Sequence, residues 1–365
     1  MKKFWKYLGR VLLVLLVTAL VLAGTVYLVL YKICNGPSPA AKDLFAASIL
    51  ESGQLKFVAH LVLSKEDLEE IKNRNSREEM NVNVLDPNLI HIDSKDVIDD
   101  PYEDPVTKQD EVFDANGVRI VEIAGSSYFA KLMIIKDPSQ VCVGTTYPWT
   151  EYGKELGEIV KGSGAIGGVN GGLYESTGNK GGHPLGVVVQ NGKITCNKPG
   201  SNKGLYLIGM TNDNLLVIKD IDGMSSGDVE KYVAEAGIRD AVCFQEENSD
   251  KNNHFVPLII NGEGRQMNGQ GSGANPRTAI GQRADGAILL LVTDGRAAGG
   301  HLGATAADLI SIMLEYGAVN AANLDGGSSS TMYYNNKYEM TSVTFYYQNS
   351  SWKLPTAFVV MPNGQ

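Results

Sequence analysis

No two of the four cysteines stand as Cys-x-x-Cys, so the chain lacks the spacing of a structural zinc site. It holds only five histidines, with no pattern pairing one to a serine, and no Gly-x-Ser-x-Gly elbow. That makes a serine hydrolase built on Ser329 or Ser330 an improbable reading. No internal repeat appears, and no Asp-x-Asp-x-Asp-Gly loop of an EF-hand. Lysine and arginine are not clustered beyond the N-terminus. The formal charge is −9; the first ten residues contribute +4 and Lys32 +1, which leaves residues 33–365 at −14. A domain of that charge is a poor nucleic-acid binder, because phosphate neutralisation needs grouped cations.

What is present begins with an uncharged run from Val11 to Tyr31, long enough at ~1.5 Å per residue to span a hydrocarbon core of roughly 30 Å. Lys2, Lys3, Lys6 and Arg10 precede it, which keeps the N-terminus in the cytoplasm and sends the rest outside. A cleaved signal peptide is the rival reading; the run is long for one and no clear small-x-small cleavage site follows. The chain thus divides into a cytoplasmic tail (1–10), a transmembrane anchor (11–31), a helical stalk (35–73), an acidic linker (74–116) and a large extracytoplasmic domain (117–365).

In the stalk, helix is expected over Asp43–Leu50, and again from Ser64, where Asp67 completes a capping box. The acids of the linker (Asp93, Asp96, Asp99, Asp100, Glu103, Asp104) and those at Glu246, Glu247 and Asp250 lack the spacing of a calcium loop and read as solvated segments. The sequence demands no cofactor and leaves a divalent cation such as Ca²⁺ open. Outside the cell Cys142, Cys196 and Cys243 allow either one disulfide or three buried thiols.

From Gly117 onward short apolar runs alternate with turn signals. Asn191-Gly192 joins Gly186–Gln190 to Lys193–Cys196 as a type I′ hairpin. Ala287–Thr293 is apolar throughout, as a central strand should be. Helices are expected over Thr150–Lys161, Asp228–Gly237 and Ala304–Tyr316. Strands outnumber helices, which gives an α+β class: a mixed β-sheet domain with packed helices.

Four polar motifs are each expected to follow an apolar strand: Asn170-Gly171-Gly172, Asn275-Pro276-Arg277-Thr278, Thr293-Asp294-Gly295-Arg296 and Asn323-Leu324-Asp325-Gly326-Gly327. Rigid scaffolds present ligand-binding groups on loops of this kind. Singly each reads as a turn or a surface charge; the set is more specific. After Asp325 the glycines permit close backbone approach, Ser329 and Ser330 add hydroxyl donors, and successive N–H groups form an anion nest.

The ordered set resembles the phosphodiester glycosidase family, through Asn170-Gly-Gly-Leu-Tyr, Gly186-Val-Val-Val-Gln-Asn-Gly-Lys, Asn275-Pro-Arg-Thr-Ala-Ile-Gly, Thr293-Asp-Gly-Arg, Gly303-Ala-Thr-Ala-Ala-Asp-Leu and Asn323-Leu-Asp-Gly-Gly. Two departures stand out: Ser328 where the family has a third glycine, and a long polar segment from Phe244. The resemblance implies hydrolysis of a sugar-1-phosphate diester in envelope or exopolysaccharide glycans. The alternative is a non-catalytic glycan-binding or polysaccharide assembly factor on the same fold.

Phosphate is a good leaving group, so that chemistry needs charge stabilisation and a placed water or carboxylate more than a strong acid. Asp294 and Asp325 are the carboxylate candidates, and His183 is a general acid, a phosphate donor or merely a turn residue. Arg277 suits the phosphate by its planar fork. Asn170, Gly171, Thr278, Gly326, Gly327, Ser329 and Ser330 line the site, and Arg296 is expected to orient Asp294. The partners implied are a phosphodiester-linked sugar or polysaccharide and the membrane.

Overall fold

The computed structural model describes residues 2–52, 56–92, 112–248, 253–344 and 349–364. One helix, Lys2–Asn35, carries the N-terminal apolar run. It is long and apolar enough to be a membrane span or a signal sequence, and none of its apolar window is covered by the rest of the chain.

Three helices follow, Pro39–Leu50, Lys56–Val62 and Lys65–Arg74. Ala46, Ala59, Leu63, Leu68 and Ile71 bring them together with Cys34 into a small core of their own. The third opens on the expected capping box, with Ser64 and Asp67 satisfying each other's backbone N–H groups. The segment read as a linker is docked over its first part. Arg77 bridges Met267, short 3-10 turns occupy Val82–Val84 and Pro87–Leu89, and Val82 enters the main core. The acids from Asp93 to Asp104, and Asp250, lie outside the described residues.

Among the described residues the domain has three larger sheets around one shared core, each backed by one helix, and a two-stranded ribbon of Glu247–Asn248 with Asn253–His254. The large sheet runs 118–124, 129–135, 288–293, 278–283, 318–323, 257–260, 263–264 in spatial order. The second contains Gly167–Asn170 between Met332–Tyr334 and Thr356–Val360; the third is centred on Ile238–Gln245. Inward residues of all three meet: Met133, Ile280 and Leu290 from the first, Val143, Val169 and Phe358 from the second, Val188, Ile208 and Val242 from the third.

The outward faces are covered separately. Leu132, Leu289 and Leu291 pack on helix Ala306–Glu315, Val359 and Tyr333 on helix Leu156–Gly162, and Val189 and Leu207 on helix Ser226–Glu235. This arrangement explains the apolar strand Ile288–Thr293. It is paired on both sides and buried on both faces, so alternate residues serve different cores.

The α+β class is as expected. Within it, every ladder among the described residues is antiparallel, so the sheets do not mix strand directions. Asn191 and Gly192 both take positive φ, as a type I′ hairpin requires. The helix expected from Thr150 starts only at Leu156, because Tyr152 and Lys154 form bridges to Gly181 and Leu354 instead. All four cysteines are free.

Strand Gly167–Asn170 lies very close to its neighbour. A Cβ on Gly168 would stand 2.3 Å from the Phe358 carbonyl oxygen and 2.9 Å from Val359 Cα. Both are sheet backbone and cannot step aside. Gly168→Ala is therefore expected to cost about 2 kcal/mol or more by overpacking and to lower the melting temperature of the full chain by about 5 °C or more. An unchanged melting curve would refute the close packing.

Candidate functional site

The functional loops meet where the large sheet borders the second one. Strand Ala318–Asn323 ends at the Asp325 loop and strand Ile288–Thr293 at Asp294. Asn275–Arg277 does not follow a strand, as the sequence suggested, but precedes Thr278–Arg283. That strand is antiparallel to both others, so its beginning lies beside their ends, with Thr278 opposite Val292 and Ala279 opposite Asn323.

Asn170 closes the group from the second sheet. It is fully buried, and protein partners occupy its amide. Its Oδ1 accepts from Thr278 Oγ1 at 2.7 Å and from the Thr331 N–H at 3.2 Å, and its Nδ2 donates to the Asp325 carbonyl at 2.6 Å. Asn170 and Thr278 therefore hold the loop in place. Gly171 allows the same closeness, since a Cβ there would stand 2.5 Å from Thr356 Oγ1.

The Asp325 loop turns through Gly327, at φ +65°, into one 3-10 turn. The Gly327 N–H is taken by the Pro276 carbonyl and the Gly326 N–H points at the Asp325 carboxylate, so the anion nest expected from these glycines is partly used by the protein itself. The carboxylate also accepts from the Ser329 hydroxyl, which lies 2.8 Å from the Tyr174 hydroxyl. Ser330 Oγ is buried without a hydrogen-bond partner among the described residues.

Burial pushes the Asp325 carboxyl up to about 6, and the bonds from Ser329 and Gly326 and the charge of Arg296 restrain the rise. Burial also raises the buried Tyr174 hydroxyl well above its ordinary value, with the Asp325 charge adding to it.

Arg296 does not orient Asp294. Its backbone sits at φ +53°, and its guanidinium reaches the Asp325 loop, where Nη1 donates to Ser328 Oγ at 3.0 Å. Ser328 thus supplies a partner for this cation. Asp294 is held instead by the Phe129 N–H at 2.7 Å and by His301 Nδ1 at 2.7 Å. His183 is exposed, and its backbone carbonyl accepts from Glu175.

Arg277 points away from Thr278, as strand alternation requires. Its guanidinium donates to Glu51, Ser272 Oγ and the Gly273 carbonyl and lies 4.9 Å from the centre of the Phe255 ring. Glu51 comes from the stalk and also accepts from the Gly273 N–H, Asn253 Nδ2 and Asn275 Nδ2. The residue assigned to phosphate from the sequence is therefore paired inside the protein. Glu246 likewise forms a bidentate pair with Arg265, 3.0 Å on each side. Among the described residues no three His, Cys, Asp or Glu side chains converge on a metal position.

Sequence reasoning missed Tyr174, His301 and Glu51. Tyr174 stood within a quoted motif, and His301 follows Asp294 across a glycine-rich loop. Nothing in the local sequence marks Glu51.

The chain belongs to the phosphodiester glycosidase family, whose model matches residues 163–361. The catalytic domain of zebrafish N-acetylglucosamine-1-phosphodiester alpha-N-acetylglucosaminidase, solved auto-inhibited by its pro-peptide, has a similar fold. It is 18% identical, with a TM-score of 0.50 over 67% of this chain and 82% of that one. A hypothetical protein from Synechocystis is 16% identical, with a TM-score of 0.40 over 67% of this chain and 61% of the other. The SPbeta prophage-derived uncharacterized protein YomE of Bacillus subtilis (strain 168) is 45% identical over 64 residues, 18% of this chain. The chain spans only 10% of that relative's length.

Two stability tests follow. Glu51→Ala leaves the Arg277 guanidinium buried without its counter-ion and is expected to destabilise the full chain by about 3–5 kcal/mol in urea unfolding. A loss below about 1 kcal/mol would mean the pair is not held as described. For Asp325, a folded pKa above the unfolded one means that the folded state binds more protons in between. The stability this adds is complete below about pH 4 and lost as pH rises through about 6. Asp325→Asn should therefore melt near the wild type at pH 4 and above it at pH 7; the opposite trend would refute the raised pKa.

Proposed function

We propose that this chain is a membrane-anchored, extracytoplasmic glycosidase that hydrolyses sugar-1-phosphate diesters in envelope or exopolysaccharide glycans. The observation that carries this reading is the Asp325 loop. It offers one partly buried carboxylate with a pKa near 6, beside a cation and a run of hydroxyls. The family membership supports the reaction type. The apolar N-terminal helix and its preceding cations support the anchor and the outward placement of the domain.

The reaction breaks the bond between the anomeric carbon and a phosphate oxygen, and positive charge builds on the sugar ring. Asp325 in its ionised form faces that charge. Arg296, which is exposed and reaches the same loop, takes the phosphate in place of Arg277, and Ser328 fixes its fork. The unpartnered Ser330 hydroxyl offers a further donor to the ligand. Tyr174 and Ser329 hold Asp325 in position. Asn170, Gly171, Thr278, Gly326 and Gly327 shape the loop.

The test is release of sugar from a panel of sugar-1-phosphate diesters, N-acetylglucosamine-1-phosphodiester included, by the full chain in detergent. Asp325→Asn is expected to reduce kcat/KM by about 100-fold or more, and Arg296→Ala to raise KM for the diester. Full activity of Asp325→Asn would overturn that residue's role. Binding of the diesters by the wild type without turnover would favour a glycan-binding factor.

A further inference from the structure

Resting on the glycosidase reading, we infer that His301 is the general base that activates the attacking water, and that Asp294 is its positioning residue. Neither the sequence motifs nor the family match assigns His301 a role.

The donor chemistry fixes the imidazole. Asp294 is bound through both carboxylate oxygens: Oδ1 accepts the Phe129 N–H, and Oδ2 lies 2.7 Å from His301 Nδ1. An ionised carboxylate only accepts, so the proton of the neutral ring resides on Nδ1. Nε2 is then left with its lone pair, and no partner for it stands among the described residues. The His301 side chain is one-third exposed, against 15% for Asp294, so the carboxylate lies behind the ring and the ring faces solvent.

The backbone is arranged to hold that pair. Arg296 and Ala297, both non-glycine, adopt φ of +53° and +69° in succession. The Arg296 N–H donates to the Leu302 carbonyl, and the Ala297 N–H to that of His301 itself. At the base of the loop, a Cβ on Gly303 would stand 2.5 Å from the Asn275 backbone, which pins the segment to the sheet. Left-handed non-glycine residues are unfavourable and persist where the surrounding structure imposes them, often at functional sites. Between them these residues carry Arg296 to Ser328 and so join the His301 loop to the Asp325 loop. Among the described residues, the charged group that meets the imidazole is Asp294.

The step balances. Water oxygen bonds to the anomeric carbon as the bond to the phosphate oxygen breaks, with its electron pair leaving on the phosphate. One water proton passes to His301 Nε2, and Asp294 stabilises the imidazolium until the proton returns to solvent. The products are the free sugar and a phosphomonoester. Asp325 stabilises the ring charge and takes no proton from the water.

The experiment compares wild type, His301→Gln and Asp294→Asn on the diester that the wild type cleaves, with and without sodium azide. Azide attacks as an anion and needs no base. His301→Gln is expected to lose about 100-fold in kcat with KM little changed. Azide should restore release of the phosphomonoester and yield the glycosyl azide. Asp294→Asn should lose less and show the same rescue, which a merely structural effect would not. Activity of His301→Gln within about threefold of wild type overturns the assignment, as does a loss that azide does not rescue in a variant melting like wild type. Should His301→Gln fail to fold, the azide response of Asp294→Asn decides. A wild type that cleaves none of the diesters overturns the glycosidase reading and the base with it. An active wild type with an active His301→Gln overturns the base alone.

Discussion

One carboxamide holds the candidate site together. Asn170 joins the second sheet to Thr278 of the large sheet and to the backbone at Asp325 and Thr331, across sequence separations of 108 to 161 residues. It does so fully buried, where an unpaired amide is costly and a paired one is correspondingly specific. Its three bonds use both the donor and the acceptor end, so no aliphatic residue and no carboxylate of the same size makes all of them. The Asp325 loop has no packing of its own comparable to a helix. Its position follows from Asn170 on one side and the Pro276 carbonyl on the other. Where the two sheets meet at the site, this residue gives the ends of two of their inner strands a common hydrogen-bond partner.

The charges divide by the same logic. Arg277 and Arg265 are buried, and each meets a carboxylate, Glu51 and Glu246. A buried guanidinium without a counter-ion is costly enough that a site needing cations for a ligand cannot readily keep them this deep. Arg296 reaches solvent, although partial burial and the charge of Arg277 lower its pKa, and among the described residues it meets a serine by direct hydrogen bond. On the proposed reading, its position more than its residue type makes it the cation for an anionic ligand. The Glu51 contact also makes the stalk part of the domain's electrostatics. The carboxylate that balances Arg277 arrives from a helix end next to the apolar N-terminal helix.

Much of this was legible in the sequence where the cause is local. The Ser64 and Asp67 cap, the Asn191-Gly192 hairpin and the two-sided strand at 288–293 all depend on residues within a few positions of one another. So does the presence of the Asp294 and Asp325 loops at strand ends. The short hairpin Met332–Tyr334 with Lys337–Met340 went unread because three or four residues carry too little periodicity. Partnerships across the chain were not legible. Arg277 and Glu51 are 226 residues apart, and their contact exists only because the stalk docks on the loop before Arg277. A motif can supply a cation of the right kind, but burial and pairing decide whether it is available.

The two candidate carboxylates illustrate the same limit. In sequence Asp294 and Asp325 look alike, each at the end of an apolar strand and each followed by glycine. In the fold Asp294 meets a backbone N–H and an imidazole, which occupy both its oxygens and make it a holder of another side chain. Asp325 meets a serine hydroxyl and one N–H under burial strong enough to raise its pKa, which leaves a carboxylate able to change charge near neutral pH. Environments that differ in this way assign different roles to identical side chains. Two chemically distinct groups, a tunable acid and an oriented imidazole, are more than either carboxylate supplies alone. Their loops are linked by Arg296, whose left-handed backbone belongs to one while its guanidinium reaches the other.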